Sequence, residues 1–225
     1  MSTYIIDLSR KIDSLGGLST FESSSQGVWE HLEQLMESSS TLWVFVANRD
    51  TDATGATAMQ VAQHVQQQTE LILRDIITVH TETGHDGVLR GICEEVLLFV
   101  KDSRAYRFNK DRIRVAPVYK GEEWNGNRSE GKSAYRGGQT KRYNPDGKDP
   151  GNVWLDEIRE ETESAVLDRT EPIPRTEALR RCIRAGLHDN KQVHTLWTDS
   201  AASDVISSEE AEEVSLDGAV EVKNE

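Results

Sequence analysis

Leu42-Trp43-Val44-Phe45-Val46, set between Thr41 and Ala47, is an unbroken apolar run. A strand with one wet face alternates apolar and polar residues, so a run without alternation has to be covered on both faces. This predicts a central strand over Thr41–Ala47 with helices above and below it. Val96-Leu97-Leu98-Phe99-Val100 repeats the signal. Tyr4-Ile5-Ile6, Leu71 to Val79 and Val193 to Trp197 read as further strands, with Val220-Glu221-Val222 as the candidate for a last one. Between them, apolar residues recur at helical spacing in Gly27 to Glu37, in Thr57 to Gln68 and in the stretch after Pro174 that carries Leu179, Cys182, Ile183 and Leu187. Thr81 to Arg90 is polar, with Gly84, His85 and Gly87, and reads as a loop. Strand alternating with helix predicts an α/β sheet.

The chain is long enough, at 225 residues, for one domain with a full core. Hydrophobic residues make up 36% and charged ones 29%, a globular balance without a run approaching the ~20 apolar residues of a membrane span. Cys93 and Cys182 stand far apart, and the six histidines form no ligand spacing, so neither a disulfide framework nor a metal site is expected. These features suit a cytoplasmic protein.

The formal net charge is −13, which works against attraction of the whole surface to nucleic acid. The charge is unevenly spread. Glu209, Glu210, Glu212, Glu213, Asp217, Glu221 and Glu225 crowd the last residues against Lys223 alone. From Lys101 to Arg142 the balance reverses, and Trp124, Tyr135 and Tyr143 are interleaved with the cations. Arginine and lysine neutralise phosphates and aromatic rings stack on exposed bases, so Arg107, Arg112, Arg114, Arg128, Lys132, Arg136, Lys141 and Arg142 are the candidate DNA contacts. The same stretch would equally serve as a solvated loop, and the overall acidity as salt adaptation.

Three landmarks occur in order across this region: Glu95-Val96-Leu97-Leu98-Phe99-Val100-Lys101, then Tyr106-Arg107-Phe108-Asn109-Lys110-Asp111-Arg112-Ile113-Arg114, then Asn144-Pro145-Asp146-Gly147-Lys148-Asp149-Pro150-Gly151-Asn152-Val153-Trp154. Together they resemble the second half of S-adenosylmethionine-dependent DNA amino-methyltransferases, in the class whose catalytic motif precedes the cofactor motif. The resemblance implies a doubly wound, mostly parallel Rossmann-like methyltransferase fold, here with a long basic loop insertion. It divides the chain into an α/β domain over 1–206, a basic recognition loop over 101–152 within it, and an acidic C-terminal segment over 207–225.

The resemblance also says where chemistry should be, and the sequence departs from it there. The family's catalytic motif is an acidic, Asn or Ser residue, two prolines and an aromatic. The first residue accepts hydrogen bonds from the target amine and the aromatic stacks on the flipped base. The matching place, Asp7-Leu8-Ser9-Arg10, keeps the acid and has neither proline nor aromatic. Alternatively Asp7 is a cap or surface residue at a strand end. For the cofactor motif, Asp199 follows the Leu196-Trp197 strand, but no glycine follows it to let a ligand approach the backbone. Glu221 is the candidate for the acid that holds the ribose hydroxyls. Where relatives have His-Pro and Lys-Pro before a helix, this chain has Glu171-Pro172-Ile173-Pro174-Arg175, read here as an ordinary helix start.

Retained landmarks with departed chemical motifs imply a homologue that serves as a non-catalytic DNA-binding subunit or as a partner of an active methyltransferase or of a second copy. Two other readings stay open. One is an active enzyme on the exocyclic amine of adenine or cytosine, alone or completed by a partner, with S-adenosylmethionine as its cofactor. The other is a protein-binding module that uses the acidic segment.

Overall fold

A computed structural model of the protein describes residues 2–14, 22, 25, 27–47, 57–85, 91–116, 146–161, 166–187 and 191–220. Chain order is β1 (Thr3–Asp7), α1 (Leu8–Ser14), α2 (Val28–Leu35), β2 (Thr41–Ala47), α3 (Thr57–Gln68), β3 (Ile72–His85), β4 (Gly91–Val100), a 3₁₀ turn (Lys110–Ile113), β5 (Val153–Trp154), β6 (Asp156–Glu161), β7 (Val166–Glu171), α4 (Arg175–Gly186), β8 (Gln192–Leu196), α5 (Ser200–Ser208), β9 (Glu212–Ser215) and α6 (Asp217–Val220). Seven strands form a sheet in the order β5-β3-β4-β2-β1-β8-β9. β2, β1, β8 and β9 run parallel, β4 lies antiparallel between β2 and β3, and β5 rejoins in parallel beside β3. The sheet is mixed and mostly parallel, the methyltransferase Rossmann-like arrangement that the resemblance implies. β6 and β7 form a separate antiparallel hairpin.

The apolar runs explain the layering. Along β2, Leu42, Val44 and Val46 face one side with Tyr4, Ile6, Leu97 and Phe99, under Trp29 and Leu32 of α2 and Val61 and Val65 of α3. Trp43 and Phe45 face the other side with Ile5, Val96 and Leu98, under Leu179, Cys182 and Ile183 of α4 and Val205 and Ile206 of α5. All seven residues of β2 are buried, as a strand covered on both faces must be.

The three sequence landmarks turn out to be joints. Lys101 donates its Nζ to the carbonyls of Glu33 (2.9 Å) and Met36 (3.1 Å), capping the end of α2 where the helix dipole attracts a cation. The Asn109 N–H donates to the Ala185 carbonyl at 2.7 Å, pinning the 3₁₀ turn to the last turn of α4, and Ile113 is buried there. Val115 and Lys148 form an isolated bridge. It needs Gly147, which has φ +104 and whose missing Cβ would lie 2.5 Å from the Val115 oxygen. Trp154 is buried and donates its indole N–H to the Gly151 carbonyl at 3.1 Å.

Two sequence expectations are corrected. Thr81 to His85 continue strand β3 instead of opening a loop, because the antiparallel register with β4 runs on to His85 and Gly91. Val220 belongs to the short helix α6, and the last described strand is Glu212–Ser215, paired with Gln192–Thr195. Its Glu-Glu-Val-Ser sequence carries little strand signal because an edge strand is wet. Acids around it have local partners. Glu209 accepts two bonds from Arg184, both 2.9 Å, Glu210 pairs with Lys191 at 3.0 Å, and Glu213 accepts from Thr195 at 2.8 Å.

Candidate functional site

β1 leads through α1 and α2 to β2 on one side, whereas β8 leads through α5 to β9 on the other. The carboxyl ends of β1 and β8 therefore flank a topological switch point, the place where open α/β sheets form a ligand crevice. A cavity of about 220 Å³ lies there. Ile5, Phe45 and Leu179 supply apolar wall, and Asp7, Arg175, Thr176, Thr198 and Asp199 supply polar groups.

Asp7 ends β1 and is 6% exposed. Its Oδ1 accepts the Ser9 N–H at 3.0 Å and Arg175 Nη2 at 2.8 Å. Arg175, the first residue of α4, also donates Nη2 to Ser9 Oγ at 3.0 Å, and its Nε lies 3.1 Å from Glu94 Oε2 of β4. The guanidinium sits 5.5 Å from the Phe45 ring centre. Burial works to lower the Arg175 pKa, but the hydrogen bond and charge of Asp7, with Glu94 and Asp199 adding to them, outweigh it and raise the value.

At the end of β8 the groups are wired differently. Trp197 takes φ +59, a left-handed conformation uncommon for a bulky residue. Its N–H donates to Asp217 Oδ1 at 2.9 Å, while Asp217 Oδ2 accepts from Ser215 Oγ at 3.0 Å. Lys11 Nζ lies 5.2 Å over the Trp197 ring. Asp199 is the N-cap of α5 and accepts the Ala202 N–H at 3.2 Å. Lower in the sheet, Tyr4 of β1 and His194 of β8 stack with centroids 4.6 Å apart. Burial, then Glu37, pushes the Tyr4 hydroxyl up to about 12, and burial, then the amino terminus, lowers His194.

Asp7 and Asp199 are thus brought to one cavity. Asp217, not singled out in the sequence, opens α6 just beyond β9, the strand next to β8. Glu221 lies outside the described residues. So do Arg128, Lys132, Arg136, Lys141 and Arg142. Arg107, Arg112 and Arg114 are placed at the opposite end of α4 from Arg175, a 12-residue helix that spans about 18 Å. Arg107 is exposed, Arg112 donates to the Leu187 carbonyl at 3.2 Å, and Arg114 holds Asp111 at 2.7 Å and the Gly147 carbonyl at 3.1 Å. Arg175 and Glu94 were also invisible as site residues. A cation directly after Pro174, at the helix end whose dipole repels it, was the available signal. Among the described residues no group of three or more His, Cys, Asp or Glu is poised to hold a metal.

Comparison with known proteins agrees with this fold. The PvuII DNA methyltransferase (cytosine-N4-specific) superposes with a TM-score of 0.59 at 10% identity, over 96% of this chain and 74% of that one. M1.HpyAVI in complex with S-adenosylmethionine gives 0.50 at 11% identity, over 99% and 86%. A Thermus thermophilus protein described as a DNA modification methylase, complexed with S-adenosyl-L-methionine, gives 0.50 at 12% identity, over 96% and 78%. At such identities the likeness concerns the fold. No curated protein matches significantly. The sequence model described as DNA methylase, N6_N4_Mtase, matches residues 3–194, most of the chain, and this protein therefore belongs to the DNA methylase family.

Proposed function

We propose that this chain is a DNA amino-methyltransferase homologue that does not itself transfer methyl groups, and that it acts as a DNA-binding or partner subunit. The observation that carries this reading is the state of Asp7. Its carboxylate, at the place where the family accepts the target amine, is ion-paired to Arg175 at 2.8 Å and receives the Ser9 N–H. No proline or aromatic follows it to complete an amine-binding, base-stacking motif.

The fit to S-adenosylmethionine is partial. Acids stand after two neighbouring parallel strands, Asp199 after β8 and Asp217 after β9. Yet the Thr198-to-Ser203 turn has no glycine, both Asp217 oxygens have partners inside the chain, and about 220 Å³ falls below the ~300 Å³ at which ligand pockets begin. If the crevice takes a cofactor, S-adenosylmethionine is the one its ancestry suits. Asp199, which lines the crevice, and Asp217, which opens α6 beyond β9, are the acids that would hold it, and it would supply the transferable methyl group.

DNA contact rests on the basic stretch, of which Arg107 and Arg112 are exposed. Alanine at Arg136, Lys141 and Arg142 together should weaken DNA binding and reduce its salt slope by about 3, since each phosphate contact contributes close to one. Unchanged binding would remove the loop from the account. An active enzyme completed by a partner is the second reading, favoured by Asp7 and Asp199 lining one cavity. It requires Arg175 to leave Asp7, and methyl transfer to DNA in the presence of a partner would establish it. A chain that binds neither DNA nor cofactor would point instead to the protein-binding module.

A further inference from the structure

Arg175 stands where, on the reading above, the target amine would stand. Its Nη2 N–H donates to Asp7 Oδ1 at 2.8 Å, the bond an exocyclic amine would make. Its planar guanidinium lies 5.5 Å from the Phe45 ring centre, within the range of cation–π contact. In-plane N–H donors beside a stackable face are what a guanidinium shares with the amino edge of cytosine or adenine. The geometry points to Arg175 as a built-in occupant of the amine-accepting position, so that the chain closes its own base subsite and admits an amino-bearing planar heterocycle only when this side chain is withdrawn. This inference rests on Asp7 being the family's acceptor.

Three features distinguish an occupant from an incidental ion pair. Arg175 opens α4, the end whose dipole opposes a cation, so the side chain is held there by other forces. Those forces come from two different strands. Asp7 ends β1 and Glu94 lies on β4, with side-chain exposures of only 9% and 12%. The third feature is the adjoining space. The cavity lined by Asp7 and Arg175 continues against Ile5 and Leu179, so truncating the arginine enlarges a volume that already exists.

The test uses the full chain, unaltered and as Arg175→Ala, titrated with cytosine and separately with methylguanidinium, with binding read by calorimetry. Arg175→Ala should bind both probes at least roughly tenfold more tightly than the unaltered chain. Adding Asp7→Asn should abolish the gain. A folded Arg175→Ala that binds neither probe better than the unaltered chain overturns the inference. If Arg175→Ala does not fold, side-chain nitrogen NMR of the unaltered chain decides. The inference expects slow guanidinium rotation for Arg175, undisturbed by cytosine, and a freely rotating guanidinium overturns it. The same preparations are assayed for methyl transfer to DNA. Transfer by the unaltered chain sinks the non-catalytic reading whatever the probes do, whereas failed probe binding without transfer sinks the occupant alone.

Discussion

β1 and β8 lie side by side and parallel, each with an aspartate on the same cavity, yet their carboxyl ends are held by different physics. At the end of β1, charge does the holding. Arg175 bridges Asp7 and Glu94, tying α4 to β1 and β4. At the end of β8, backbone hydrogen bonds do it, with Asp217 on the Trp197 N–H and Asp199 on the Ala202 N–H. The first arrangement sets a side chain against the end of β1, and the second ties the turn after β8 by its own backbone, with no glycine from Thr198 to Ser203. Two neighbouring strand ends on one crevice are thus fixed in place by different means, a salt bridge at one and backbone hydrogen bonds at the other.

Breaking the β1 end should have the largest effect. Arg175→Ala takes a positive charge away from beside two nearly buried carboxylates, Asp7 and Glu94. We expect a loss of about 2–4 kcal/mol in urea unfolding, somewhat under the value for a fully buried pair because the arginine side chain keeps 31% exposure. A loss below about half a kcal/mol would mean that the bridge is ornamental. Next comes α4 from its other end. Gly186→Ala would set a Cβ 2.5 Å from the Oγ1 atoms of both Thr3 and Thr41, and overpacking there should cost about 1–3 kcal/mol without touching the charges. If cytosine binding also changes in Gly186→Ala, the helix rather than the arginine governs the subsite.

At the β8 end the expected effects are smaller. Asp199→Ala removes an N-cap and should cost about 1 kcal/mol, read from the thermal midpoint, while leaving the Arg175 contacts intact. Smallest is a pH effect where the two strands touch. Burial depresses His194, so the folded chain favours its neutral form and the unfolded chain binds the proton more readily. Its contribution is complete above the unfolded value near 6.5 and fades as pH falls below that. His194→Phe, which keeps the stack on Tyr4, should flatten thermal stability between about pH 7 and 5. An unchanged slope would assign the acid sensitivity elsewhere, with His64, also depressed by burial, next in line.

Much of the sheet was legible because Leu42–Val46 and Val96–Val100 admit few placements other than covered strands. The ends of β3 and the identity of β9 were not, since Thr81–His85 and Glu212–Ser215 are polar and gain strand structure only from their neighbours' register. Asp7 was legible as a strand end. Its partner was not, because Arg175 is 168 residues away and a single chain carries no record of such pairing. Lys101, Arg112 and Arg114 looked like one basic patch in sequence. The fold uses each of them against carbonyls or a carboxylate of its own.

If Arg175 closes Asp7 to a target amine, the purified, folded chain should transfer no labelled methyl groups from S-adenosylmethionine to DNA of mixed sequence above background, at either adenine or cytosine. Sustained turnover that Asp7→Asn abolishes would contradict that closure, because Asp7 would then have to be open in the working protein.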